Sequence, residues 1–311
     1  MTRGFTLSAG RPSRGGSAVD IGTVDIRGSR RQQRKNMNQP KTVVITGGSD
    51  GIGAAAARRL HREGHRVVIV GRSPRKTQAV AREIGADRYL ADFTRLDEVR
   101  KLAAELNTAY PRIDVLANNA GGIFGDRAKT VDGFEKTFQI NHLAQFLLTR
   151  LLMDRLIASN ATVIQTASVG ARMAGKVVLD DLDHDRDFTA VRAYCTAKLE
   201  NILFTKELHR RYHSEGISTA AFHPGTVATS FATESDSFLK YITGTRLGRA
   251  FLITPDKGAD QLVWLAQGRP GVDWISGTYY EKRKPAKRNN PQALDADLAR
   301  RLWDRSEELL G

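Results

Sequence analysis

From Thr42 onward the chain alternates short β-branched apolar runs with longer stretches in which apolar residues recur at helical spacing. The runs at 43–45, 67–70, 113–117, 161–165 and 217–222 are apolar nearly throughout, the pattern of strands covered on both faces. A further strand is predicted over 88–91, and the alanine-rich stretch 54–60 favours helix. Strands and helices alternating in this way predict an α/β fold built on a doubly wound parallel sheet. About 270 residues of such pattern suit a single domain with a sizeable buried core. No internal repeat is visible.

The first strand runs straight into Thr46-Gly47-Gly48-Ser49-Asp50-Gly51-Ile52-Gly53 and then into helix. Residues without a Cβ let a backbone turn tightly and approach phosphates closely. The first free N–H groups of the helix and its positive end then face the anion. This reads as the dinucleotide-binding turn of a Rossmann fold, with Gly47, Ser49, Gly51, Ile52 and Gly53 as cofactor contacts. A tight strand-to-helix connection is the plainer reading of the same residues. The second strand ends at Gly71-Arg72, about 20 residues past the glycines, where a carboxylate would read a ribose 2′-hydroxyl and an Arg suits a 2′-phosphate. Arg72 therefore points to NADP(H), with NAD(H) left open, because Asp50 would oppose a 2′-phosphate if it faced one.

Three further stations complete a pattern: Asn118-Asn119-Ala120-Gly121, Ser168, and Tyr194 followed by Lys198. With the glycine turn they resemble the short-chain dehydrogenase/reductase family over roughly residues 41–310. The stretches 138–152, 193–208, 222–227 and 276–280 look most like its retinol-dehydrogenase branch. The resemblance implies a catalytic set of Ser168, Tyr194, Lys198 and Asn141, and cofactor contacts from Asp92, Asn118, Tyr194, Lys198, Pro224, Gly225 and Thr229. The chemistry agrees. Tyr and Lys at i and i+4 share a helix face, and a cation beside a phenol of ordinary pKa near 10 favours the phenolate. Tyr194 then acts as general acid/base while Ser168 holds the carbonyl oxygen. Hydroxyl position alone leaves Thr166 as a rival to Ser168; the resemblance favours Ser168. Asp92 reads equally as the cap of a helix starting near Arg95.

Composition changes the picture mainly at the N-terminus. Residues 1–36 carry eight Lys or Arg against two Asp, and so supply six of the net charge of +14. They are expected to be a disordered basic extension, with Met37 a plausible true start and 37–311 the folded domain. The segment 229–249 reads as a lid over an apolar substrate. A basic cluster at 282–288 and an acidic run at 180–185 read as solvated surface. Cys195 is the single cysteine, which excludes an internal disulfide, and it reads as an inert buried thiol. The seven histidines make no metal-ligand spacing. With no apolar stretch long enough for a membrane span, the expectation is a cytoplasmic NADP(H)-dependent oxidoreductase. Its substrate is a small, lipophilic carbonyl or alcohol, and nucleic acid is not an expected partner. Homo-oligomerisation is open, since the helices around Asn141 and Tyr194 form dimer interfaces in the family. A catalytically silent nucleotide-binding scaffold is the alternative.

Overall fold

The computed structural model describes Met1 and residues 39–125, 127–225 and 253–311. The expectations for residues 1–36, the 229–249 lid and Thr229 fall outside them. Contacts within Pro40–Gly311 form one compact unit, distinct from Met1–Gln39. Its strands are β1 (Thr42–Thr46), β2 (Arg66–Gly71), β3 (Asp87–Leu90), β4 (Val115–Asn118), β5 (Thr162–Thr166), β6 (Ser218–His223), β7 (Thr278–Glu281) and β8 (Lys284–Pro285). They form one sheet in the order 3-2-1-4-5-6-7-8, parallel except for the last pair. From β1 the chain winds first toward β3 and then, after β4, toward the opposite edge. The order thus reverses between β1 and β4, and the crevice beyond the C-terminal ends of strands at such a reversal is where α/β sheets bind ligands.

Helices α1 (Gly51–Arg62), α2 (Pro74–Ile84), α3 (Leu96–Ala109), α4 (Lys136–Phe138), α5 (Ala144–Leu151), α6 (Met153–Ala158), α7 (Ala190–Tyr212), α8 (Pro255–Gln267) and α9 (Ala296–Leu310) cover both faces. Alternation along the strands decides which core each residue joins. Val43, Ile45, Val67 and Ile69 pack with Ala56 and Leu60 of α1 and Leu262 of α8. Val44, Val68 and Leu116 point the other way, toward Leu102 of α3, Phe146 of α5 and Leu203 of α7. Both sides being buried explains why these strands are apolar throughout. Each fully buried Val or Ile contributes about 1.5–3 kcal/mol. No helix among the described residues is long and apolar enough to cross a membrane.

The last helix closes the second layer. Trp303 of α9 is 2% exposed. It stacks on Phe204 of α7 with ring centroids 5.6 Å apart and meets Phe146 edge-on at 4.9 Å. The Arg211 guanidinium lies 4.9 Å from its centroid. Buried aromatics of this kind carry much of a layer's packing energy. Trp303→Ala is therefore expected to lower unfolding free energy by about 3–5 kcal/mol, against a smaller loss for Trp303→Phe. Urea titration of the two variants measures this; a loss for Trp303→Ala below about 1 kcal/mol would show that α9 is not part of the cooperative core.

Candidate active site

The glycine turn is shaped by its packing against the end of β4. Gly47 has φ +64°, and a Cβ there would lie 2.9 Å from Ala120 Cα. At Gly53 a Cβ would lie 2.3 Å from the Gly47 carbonyl oxygen and 2.7 Å from Asn119 Nδ2. Only glycine allows the start of α1 to sit so close to β4, where the positive helix end stands at the crevice. Ile52 packs on the core beneath, while Ser49 lies against Gly71, the last residue of β2. Arg72 follows on the surface. Asp50 caps α1 by accepting from Gly51 N at 2.7 Å and pairs with Lys76 Nζ at 2.6 Å. The Asp50 charge is thus opposed by Lys76 beside it. The donor set at this corner, helix N–H groups with Ser49, Arg72 and Lys76, fits the phosphates of a nicotinamide dinucleotide.

Asp92 is not the helix cap. α3 begins at Leu96, whose N–H is accepted by Asp132 at 2.9 Å, whereas Asp92 Oδ1 accepts from Thr94 N at 3.0 Å within the preceding turn. Asn118 is fully buried and donates to Thr149 Oγ1 of α5 at 2.9 Å, tying sheet to helix. Its neighbour does more. Asn119 Nδ2 donates to Thr46 O at 3.1 Å, and its Oδ1 accepts from Thr166 Oγ1 at 3.2 Å. Thr46 Oγ1 accepts from Asn119 N at 2.9 Å and Ala120 N at 3.0 Å. Asn119, Thr46 and Thr166 thus lace the ends of β1, β4 and β5. Sequence reasoning missed this role, since no local spacing announces which strands will be neighbours.

β5 ends at Thr166, so Ser168 does not continue it. Ser168 opens the 3₁₀ turn Val169–Met173 and its Oγ accepts from Gly170 N at 3.1 Å. Tyr194 of α7 is its neighbour, since the Ser168 hydroxyl and the Tyr194 ring both border Gly170. One turn on, Lys198 Nζ donates to Thr166 O at 3.0 Å and lies 5.5 Å from the Tyr194 ring centroid. Asn141 sits in the π-helical turn Gln139–Leu143 between α4 and α5. Its Nδ2 donates to Thr137 O and Gly122 O, each at 2.9 Å, and its Oδ1 accepts from Gly122 N at 3.2 Å. Asn141 Oδ1 and Lys198 Nζ both border Gly121. The four residues are therefore gathered at the strand ends beside the glycine turn, while Thr166 is spent on scaffolding.

Burial dominates the electrostatics. It pushes the Tyr194 phenol well above its ordinary range, with the neighbouring Ser168 hydroxyl pulling the other way, and lowers Lys198 to about 7. The sequence argument expected a cation to lower the phenol. Here desolvation outweighs that, because both groups lie out of water and each charged form is penalised. Cys195 is buried and its thiol is pushed up to about 11 by burial, the chemistry of an inert thiol. Pro224 and Gly225 follow β6 at the same end of the sheet.

The 180–185 run is more than solvated rim. Asp183 Oδ1 accepts from Glu135 N at 2.8 Å, while Glu135 caps α4 through Thr137 N at 2.8 Å and Phe138 N at 2.7 Å. Behind them Glu200 of α7 is 1% exposed, and neither carboxylate oxygen has a hydrogen-bond partner among the described residues. Burial, reinforced by Glu135 and Asp183, raises Glu200 to about 8. Among the described residues no group of His, Cys, Asp and Glu could hold a metal.

The family model described as short chain dehydrogenase matches residues 41–240. The chain is 41% identical over 280 residues to a protein of Streptomyces sp. (strain C5) assigned provisionally as a daunorubicin C-13 ketoreductase, spanning 87% of this chain and 93% of that one. Human retinol dehydrogenase 13 is 36% identical over 283 residues, spanning 87% and 85%. Among solved structures, an uncharacterized protein from Mycobacterium paratuberculosis superposes with TM-score 0.70 at 33% identity, over 86% of this chain and 92% of that one.

The burial of Glu200 sets a pH dependence. Its folded value of about 8 exceeds the ordinary 4.5, so the folded state keeps the proton longer. Stability is then lost as pH rises from the ordinary carboxylate range to about 8. Glu200→Gln should lack this slope and gain on the wild type as pH rises from about 5 to about 8. Urea midpoints at both pH values measure the gain; equal slopes in the two proteins would contradict it.

Proposed function

The chain belongs to the short-chain dehydrogenase/reductase family and is an oxidoreductase of carbonyl and alcohol groups, and from that premise we propose that it transfers hydride between NADP(H) and a lipophilic ketone or aldehyde, with Tyr194 as general acid/base. The observation that carries the proposal is the juxtaposition of Ser168 and Tyr194 against Gly170, with Lys198 Nζ 5.5 Å from the Tyr194 ring centroid, at the strand ends next to the glycine turn. A nicotinamide cofactor held through the glycine turn would supply or accept the hydride. Ser168, its oxygen held by Gly170 N, turns its proton toward the substrate oxygen and polarises it. The raised Tyr194 stays protonated at neutral pH, the form that must deliver a proton to the carbonyl oxygen in reduction. Loss of that proton leaves a phenolate in a dry pocket, where the neighbouring Lys198 ammonium offsets the charge. Lys198, near 7, exchanges its own proton readily around neutral pH. Asn141 holds the Gly121–Gly122 backbone against the ammonium and keeps Lys198 in place.

Arg72 and Lys76 at the mouth of the turn support a 2′-phosphate, and the ketoreductase and retinol-dehydrogenase relatives support a lipophilic substrate. Residues 37–311 form the catalytic domain in this reading, and 1–36 an extension outside it. Thr229 is a cofactor contact in this reading, Asp92 serves the adenine, and Asn118 steadies the sheet beside the cofactor.

Two variants separate the roles. Tyr194→Phe should lower kcat at least about 10³-fold with NADPH affinity within about twofold, measured by NADPH oxidation with aldehydes and ketones and by nucleotide titration. A Phe variant near the wild-type rate would end the acid/base assignment. Arg72→Ala should weaken NADPH about tenfold or more while leaving NADH unchanged. Equal losses for both nucleotides would show that Arg72 does not read the 2′-phosphate.

A further inference from the structure

His223 and Gln261 are polar groups of the sheet's catalytic end that the reaction above does not use. β6 ends at His223, whose ring is partly buried. Burial, with the positive charges of Arg172 and Lys282, lowers its pKa to about 4, so the imidazole is neutral at physiological pH. A neutral imidazole has one N–H and one lone pair. Val169 N donates to Nδ1 at 3.3 Å, which assigns the lone pair to Nδ1 and the proton to Nε2.

Val169 is the first residue of the turn that Ser168 caps, and its N–H has no partner within that turn. The other early bonds are made: Gly170 N to Ser168 Oγ at 3.1 Å and Ala171 N to Ser168 O at 3.0 Å. His223 therefore holds the peptide immediately after Ser168. Its own backbone is gripped in turn. Gln261 of α8, 7% exposed, donates through Nε2 to His223 O and accepts from Arg283 N at 2.8 Å. Arg283 Nε donates to Asp260 at 2.8 Å. Lys282 and Arg283 both have left-handed backbones, φ 52° and 60°, which presents the Arg283 N–H to Gln261. The chain Arg283, Gln261, His223, Val169 runs from the edge hairpin to the serine.

We propose that His223, held by Gln261, is a positioning residue that sets the Ser168 hydroxyl against Tyr194; this rests on the assignment of Ser168 above. It acts through Ser168 alone, and a double-mutant cycle exposes that dependence. In the full-length protein, His223→Leu should lower kcat about 10–100-fold with NADPH affinity unchanged. His223→Asn, whose amide oxygen can accept from Val169 N, should recover to within about fivefold of wild type. On a Ser168→Ala background, His223→Leu should cost less than about twofold more. Gln261→Met, tested the same way, should show a smaller loss that also vanishes on that background, and it carries the test if His223→Leu fails to fold. The same factor on both backgrounds, or Asn no better than Leu, would overturn the inference. A Ser168→Ala enzyme with near wild-type kcat would instead overturn the Ser168 assignment, and this inference with it.

Discussion

The lacing of Thr46, Asn119 and Thr166 across the ends of β1, β4 and β5 is the constraint on which the rest of the site depends. Strand ends carry backbone groups the ladder no longer satisfies, and buried ones must find partners. Here the Thr46 hydroxyl and the Asn119 carboxamide satisfy them, and the Thr166 hydroxyl holds the carboxamide by donating to its oxygen. The same bonds fix where the glycine turn begins, where the Asn118–Gly121 segment leaves the sheet and where the Thr166 carbonyl stands. That carbonyl is the acceptor of Lys198. Loosening the lacing would move the helix end, the lysine and the backbone beside Asn141 together.

Placing the chemistry at that point has an electrostatic consequence. Tyr194 and Lys198 are 8% and 2% exposed, and each is driven toward its neutral form. A phenol that holds its proton and an amine that titrates near neutrality make a pair able to give and regain a proton without water close by. The cost is borne by the scaffold, since groups desolvated for function lower stability. Glu200, two residues beyond Lys198 and directed to other neighbours, adds a second buried ionisable group on α7.

Much of this was legible along the chain. The apolar runs locate the five strands β1, β2, β4, β5 and β6 to within a residue or two, because strands buried on both faces leave no polar position to blur their ends. The edge strand β3 falls within a residue of the predicted 88–91. The glycines at 47 and 53, Arg72 after β2, and Tyr194 with Lys198 one helical turn apart all stand as their local spacing requires. The strands β7 and β8 were less visible, being short and mixed. The π turn at Asn141 was invisible, for it arises where one side chain reaches three backbone groups from different segments. The basic 282–288 stretch, read as solvated surface, contains Arg283, whose ion pair with Asp260 and backbone bond to Gln261 anchor the edge hairpin.

The sequence by itself determined the fold class, the family resemblance and which residue types carry the chemistry, because those follow from periods of two and 3.6 residues and from short motifs. Only the tertiary structure decided the environment of each group. Whether Thr166 or Ser168 stands beside Tyr194, which way the phenol's proton affinity moves, and that Glu200 has no hydrogen-bond partner among the described residues all depend on contacts between residues far apart in the chain. Desolvation and hydrogen bonding are properties of a place in space, and no local pattern encodes them.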